Sequence, residues 1–200
     1  MTYIYLIRHG HKVSEAGDPA LTELGIKQAI QTGEYLKKFP ITRVIASPYK
    51  RTVQTALHIS QALGLKHQLS ENLVERMNWV GGEVSRDDFI NEWIKSSHNR
   101  EYVPLYGDSS FQTGQKVAKV IENFQNQGKE SHAVLVSHGG AIVDYLRNTF
   151  GDEKVRDLLW QYEEGPDYRM YNCAINKVVL DEQPTLELLN YVDHLGEKSE

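Results

Sequence analysis

Short apolar runs that give way at once to helical spacing constrain this chain more than any other feature. Tyr3 to Ile7 and Ala133 to Val136 are such runs, and Arg43 to Ala46 is a third short strand. Each is too brief for a buried helix and reads as a buried strand. Between them the apolar residues recur at helical intervals. From Thr22 to Lys38 the face is Ile26, Ala29, Ile30, Gly33 and Leu36, with Thr22 as N-cap. After Ser47-Pro48 it is Val53, Ala56, Leu57 and Leu63. Val117, Val120, Ile121 and Phe124 form another, beginning near the capping candidates Ser109 and Ser110, and Ile142, Tyr145 and Leu146 follow the third strand. Cys173 to Leu180 and Thr185 to Val192 form a closing hairpin around Asp181-Glu182-Gln183-Pro184. Strand and helix in alternation imply a three-layer α/β/α sandwich with a mostly parallel central sheet. At 200 residues this is one domain. The stretch from Arg76 to Tyr106 breaks the alternation, with one short helix (Phe89, Ile90, Trp93, Ile94) and a loop at Pro104. It is expected to be an inserted lobe over the active site.

Charge and cysteine content exclude several classes. With 22 Lys+Arg against 27 Asp+Glu the formal net charge is −5, which disfavours nucleic acid or an anionic membrane as partner. No segment approaches the ~20 apolar residues of a membrane span, and a soluble cytoplasmic protein is expected. Cys173 is the single cysteine, so no internal disulfide or multi-cysteine metal site can form. A cysteine phosphatase would need an arginine six positions after its thiolate, where this chain has Val179. No glycine-rich loop with Gly-Lys-Ser/Thr exists. His9 and His11 stand one residue apart, but no carboxylate-histidine cluster completes a metal site, and Arg8 would repel a cation.

The chemistry-bearing residues gather at the strand ends. In open α/β sheets ligands bind beyond the carboxyl ends of the strands. The first strand runs into Arg8-His9-Gly10, the second passes through Ser47-Pro48 to Arg51, and the third ends in Ser137-His138-Gly139-Gly140. Two arginines and two histidines from three segments can thus converge where helix N-termini also favour an anion. Each residue alone has an ordinary reading as surface charge, structural histidine or tight turn; the joint arrangement points to an anion site.

These residues also carry a family resemblance. Leu6-Ile7-Arg8-His9-Gly10 resembles the signature of the histidine phosphatase superfamily, the phosphoglycerate-mutase-like proteins. Leu21-Thr22 with Gly25, Gln28 and Ala29 is similar to the family's first helix. Ser47-Pro48 with Arg51, Thr52, Gln54, Thr55 and Ala56 resembles its second block, and Val136 to Gly140 its third. The final hairpin with Asn190 and His194 is similar to the family's ending. The resemblance implies a phosphomonoesterase without cofactor, acting on a small phosphorylated metabolite, with His9 as nucleophile and a phosphohistidine intermediate. Arg8, Arg51, His138 and Gly139 would bind the phosphoryl group. An aspartate directly after the second histidine marks the acid phosphatases; Gly139 stands there, which disfavours that branch. Leu73-Val74-Glu75-Arg76 resembles the context of the general acid in the mutase and small-phosphatase branches, which assigns Glu75, with Glu83 a weaker candidate. The alternative is that Glu75 simply pairs with Arg76 or Arg8.

Two departures stand out. His11 and Lys12 occupy positions commonly acidic then hydroxylic, and Gly107-Asp108-Ser109 replaces Gly-Glu-Ser, with Gln115-Lys116 near the position of a usual arginine. A mutase would want extra cations in a longer lobe, whereas Gly82 to Tyr106 offers only Arg86, Lys95 and Arg100 among acids. Hydrolysis is therefore expected ahead of mutase activity, and a catalytically silent phospholigand binder is a third reading. Trp79, Trp93 and Tyr106 read as core or as a lid over the pocket.

Overall fold

The computed structural model describes residues 1–125, 130–160 and 170–196. Six strands form one sheet: β1 (Thr2–Arg8), β2 (Arg43–Ala46), β3 (His67–Leu69), β4 (Ser131–Ser137), β5 (Ile175–Leu180) and β6 (Thr185–Tyr191), in the spatial order β3-β2-β4-β1-β5-β6. The first four run parallel, while β5 and β6 return antiparallel at one side. Side chains alternate across the sheet. Ile4, Leu6 and Leu135 face one layer with Val117, Ile121, Phe124, Ile142 and Leu146, while Tyr5, Ile7, Val134 and Val136 face Leu36, Ala56 and Ile59. Burial on both faces explains why β1 and β4 read as unbroken apolar runs.

The helices that matter here are α1 (Glu23–Leu36), α2 (Lys50–Leu63), α3 (Arg86–His98), α4 (Ser110–Gln125), α5 (Gly139–Phe150) and α6 (Asp152–Trp160). Thr22 caps α1, its hydroxyl accepting from the Gly25 N–H at 3.1 Å. Ser109 and Gln112 exchange hydrogen bonds at the start of α4, the reciprocal arrangement of a capping box. Among the described residues no helix is long and apolar enough to cross a membrane.

Three expectations need correction. In α2 the buried face is Arg51, Thr52, Thr55, Ala56 and Ile59, whereas Leu57 is exposed. Its threonine hydroxyls bond back to the Ser47 and Arg51 carbonyls, at 2.8 and 2.7 Å, so polar residues can be interior. In α1, Ile30 is exposed while Gln28 and Thr32 are buried. In α3, Ile90 is exposed and the buried residues are Glu92, Ser96 and Ser97. Glu92 accepts from Tyr102 Oη, the Leu105 N–H and Lys95 Nζ, which replaces the water it loses. The short β3 and the whole of α6 had no counterpart in the sequence reading.

Candidate active site

The register of the sheet places the candidate residues side by side. Arg8 pairs with Ser137 at the carboxyl ends of β1 and β4, and the His9 N–H donates to the Ser137 carbonyl at 3.0 Å. The loop after β1 is then fixed by side chains of the two helices on that face. Gly10 N–H donates to Thr55 Oγ1 (3.0 Å), His11 N–H to Gln28 Oε1 (2.9 Å) and Leu21 N–H to Gln54 Oε1 (2.7 Å). These bonds give physical content to Gln28, Gln54 and Thr55, which the sequence offers only as a pattern. From the other side, Asn172 Nδ2 donates to the His9 carbonyl (3.1 Å) and Cys173 N–H to that of Arg8 (3.1 Å). Cys173 holds a left-handed φ of 54° to do so. Its buried thiol is pushed up to about 12, chiefly by desolvation, which makes it inert.

His9 is 4% exposed, and its Nδ1 lies 2.8 Å from the Gly10 carbonyl. A carbonyl only accepts, so Nδ1 carries the proton and Nε2 keeps its lone pair. Burial first, then the positive charges of Arg8 and Arg51, hold this imidazole well below the ordinary histidine range. It is therefore neutral and competent as a nucleophile. Arg8 Nη1 donates to the Met170 carbonyl. Arg51, in the first turn of α2, is 4% exposed and lies over the Tyr49 ring, 3.7 Å from Asp18 and 3.4 Å from Asn78 Oδ1. Its Nε and Nη1 have no hydrogen-bond partner. Such buried unpaired donors suit an anion that supplies the missing acceptors.

Glu75 lies at the N-terminus of α5. Its Oε1 accepts from the Arg76 and Ala141 N–H groups, both at 2.9 Å, and its Oε2 from Gly140 N–H at 3.1 Å. The carboxylate is thus held by backbone amides; the contact with Arg76 is through the main chain. A Cβ on Gly140 would come within 2.5 Å of Glu75 Oε1, so glycine there permits the approach. His138 is brought beside His9, ring centroids 5.4 Å apart, but it is fully buried and does not line the cleft. Its Nε2 lies 2.8 Å from Ser47 Oγ and its Nδ1 has no partner. Burial, followed by His9, Arg51 and Arg8, lowers its pKa well below the ordinary value.

Arg8, His9, Arg51, Glu75 and Gly139 all line one cleft of about 440 Å³. Glu83 is exposed and does not line it. Tyr106 is exposed too, whereas Trp79 and Trp93 form part of the wall. His11 points back to Thr22 Oγ1 at 2.9 Å, while Lys12 reaches the cleft, its amine destabilised as a cation by burial and by Arg51 and Arg8. Lys116, near the position of the usual arginine, pairs with Asp108 at 2.5 Å. Sequence reasoning missed Arg76, Asp144 and Arg147, which line the same cleft. Arg76 was visible only as the neighbour of Glu75, and nothing in local pattern distinguishes Asp144 or Arg147 from surface charges. Among the described residues no three His, Cys, Asp or Glu side chains group as a metal ion would need.

Comparisons with known proteins agree on the family. The model of the histidine phosphatase superfamily (branch 1) matches residues 4–192. A probable phosphoglycerate mutase GpmB of Erwinia tasmaniensis is 27% identical over 215 residues, covering 100% of this chain and 94% of the relative. The corresponding Yersinia pestis protein is 29% identical over 199 residues, covering 93% and 88%. Among solved structures, a mycobacterial glucosyl-3-phosphoglycerate phosphatase bound to inorganic phosphate superposes with a TM-score of 0.76 at 19% identity, covering 97% and 99% of the two chains. A phosphoserine phosphatase from Entamoeba histolytica in complex with 3-phosphoglyceric acid gives 0.71 at 21%, with 97% and 99% covered.

Proposed function

The chain belongs to the histidine phosphatase superfamily, branch 1, and from that premise we propose that it is a phosphomonoesterase acting on a small phosphorylated metabolite. The observation that carries this reading is His9: a buried, neutral imidazole in the wall of a cleft, its proton fixed on Nδ1 and the charges of Arg8 and Arg51 acting on it. In the first step His9 Nε2 attacks phosphorus in line, the ester P–O bond breaks, and Glu75 gives a proton to the departing oxygen. Arg8 and Arg51 neutralise the equatorial oxygens with their forked donors. In this reading Ser47 Oγ donates to His138 Nε2, which puts the His138 proton on Nδ1 as a further donor beside His9, and Gly139 lets the chain approach the phosphoryl group. In the second step a water attacks the phosphohistidine, its proton passes to the Glu75 carboxylate, and inorganic phosphate and free His9 are released. Residues 76–106 act as the lobe over this site, supported by the position of Asn78, Phe89 and Trp93 in the cleft wall.

A second reading, phosphoryl transfer of the mutase type, is favoured by the names of the relatives. The cations between Gly82 and Tyr106 argue against it. Lys95 is paired with Glu92 at 2.8 Å, Arg100 with Asp152 at 3.0 Å, and Arg86 is exposed and outside the cleft wall. None of these three lines the cleft.

The acid assignment is tested by leaving-group dependence in Glu75→Gln. With an alkyl phosphate, whose alcohol needs a proton, kcat should fall by about 10²–10⁴. With p-nitrophenyl phosphate, whose phenolate leaves unaided, the first step should be far less affected, as measured by the burst of p-nitrophenol. Equal losses for both would remove Glu75 from the role of acid.

A further inference from the structure

Beyond the phosphoryl end, the cleft holds a second set of buried and unpaired polar atoms. Arg76 follows Glu75 in the chain, yet its side chain is 3% exposed. Its guanidinium lies 4.1 Å from the centroid of the Trp93 ring, and its Nη2 donates to Ser97 Oγ at 3.0 Å. Facing it, Asp144 on α5 is 1% exposed; its Oδ1 accepts from Ser110 Oγ at 2.5 Å. The gap from Arg76 Nε to Asp144 Oδ2 is 3.6 Å, an ion pair but too long for a hydrogen bond. Nε and Nη1 of Arg76 and Oδ2 of Asp144 are consequently left without hydrogen-bond partners. Buried donors and acceptors in that condition call for an explanation, and a cleft wall supplies one.

The surrounding charge says what kind of group belongs there. Arg147 donates to Asp152 at 2.7 and 3.1 Å, and Arg100 Nη1 to the same carboxylate at 3.0 Å. Arg100 and Arg147 are thus both committed to Asp152, and the pair with open positions, Arg76 and Asp144, carries one charge of each sign. A balanced pair offering an empty donor and an empty acceptor matches a neutral group that both accepts and donates, not a second anion. Phe89, Trp93 and Val143 complete the wall with apolar surface, which suits the carbon face of such a ligand.

We propose that Arg76 and Asp144 form a clamp for a hydroxyl of the leaving alcohol, which accepts from the guanidinium and donates to the carboxylate. The substrate class is then the phosphate ester of a sugar or polyol, in preference to an ester whose alcohol ends in a carboxylate or second phosphate. This rests on the phosphomonoesterase reading above. The clamp lies against the proton donor: a Cβ at Gly140 would meet both Glu75 Oε1 (2.5 Å) and the Trp93 ring (2.6 Å). A hydroxyl a few bonds from the scissile oxygen is therefore within its reach.

The test compares kcat/KM for glucose 6-phosphate, 3-phosphoglycerate and p-nitrophenyl phosphate in the wild type, Arg76→Met, Arg76→Lys and Asp144→Asn. Arg76→Lys keeps the charge opposite Asp144, so the comparison survives if Arg76→Met does not fold. The ratio of glucose 6-phosphate to p-nitrophenyl phosphate should fall about tenfold or more in each variant, and the 3-phosphoglycerate ratio should fall less. Unchanged ratios would make the pair purely structural, and a larger fall for 3-phosphoglycerate would make it an anion site; either overturns the clamp. A wild type inert toward all three esters overturns the phosphomonoesterase reading instead. Calorimetric titration with glucose 6-phosphate and inorganic phosphate then judges the clamp by itself. It stands if Arg76→Lys weakens the sugar phosphate about tenfold more than phosphate, and fails if both weaken alike.

Discussion

At the scale of single residues, the site works through atoms whose hydrogen bonds are already committed. The Gly10 carbonyl fixes the His9 tautomer, and three backbone amides hold Glu75. These details were only partly legible beforehand. Arg8, His9, Arg51, Glu75, His138 and Gly139 could be named because a strand end followed by a helix is a local signal. The tautomer could not, since it depends on a carbonyl that sequence does not orient. Arg76 and Asp144 were invisible for a related reason: a charged residue reads as solvent-facing unless a partner distant in sequence brings it inside. Gly140 gives the sharpest test at this scale. Gly140→Ala puts a methyl group within 2.5 Å of Glu75 Oε1 and 2.6 Å of Trp93, and should displace the carboxylate. Activity should drop about 10²-fold and stability by about 1–3 kcal/mol, measured by steady-state kinetics and urea unfolding. Wild-type activity in this variant would show that Glu75 need not sit where it does.

Among elements, the end of β1 and the start of α1 behave as one unit. A Cβ on Gly25 would fall 2.0 Å from the His11 carbonyl oxygen, and neither backbone can rotate away. Thr22 serves the same junction, capping α1 while its Oγ1 meets His11 Nδ1 at 2.9 Å. Gly25→Ala should therefore pry the loop from the helix. A stability loss of about 3 kcal/mol, with reduced activity in the molecules that remain folded, is expected from thermal melts and kinetics. An unperturbed melt would mean the junction has slack. Strands and amphipathic helices were readable because burial on one or both faces writes itself into apolar spacing. The inward face of α3 escaped because it is polar and satisfied by hydrogen bonds, and β3 because three residues carry too little pattern.

Across the whole molecule, a net charge of −5 coexists with a cationic cleft. Arg8, Lys12, Arg51, Arg76 and Arg147 line it against Glu15, Glu75 and Asp144. Folding also excludes protons. His9 and His138 have pKa values lowered well below the ordinary range and His194 is lowered to about 4, each chiefly by burial. Below the unfolded value of about 6.5, the unfolded chain takes up protons that the folded chain refuses, so stability falls as pH falls. The two buried histidines His9 and His138 carry most of this loss, and the partly exposed His194 adds a smaller, screened share. Asp144 runs the other way: burial raises it to about 6, so below that pH the folded state gains one proton and offsets one histidine. The Tm should therefore decline on acidification from pH 7 to 5. A constant or rising Tm would contradict the buried neutral state of the histidines.

That neutral state of His9 is what the proposed chemistry requires, and the covalent intermediate is its most direct consequence. Rapid acid-free quenching of the protein mixed with a ³²P-labelled phosphomonoester, followed by peptide mass spectrometry, reads it. The account predicts a phosphoryl group on His9, stable to alkali and labile to acid, formed and lost at rates compatible with turnover and absent in His9→Ala. Turnover without label on His9, or turnover that persists in His9→Ala, would contradict it.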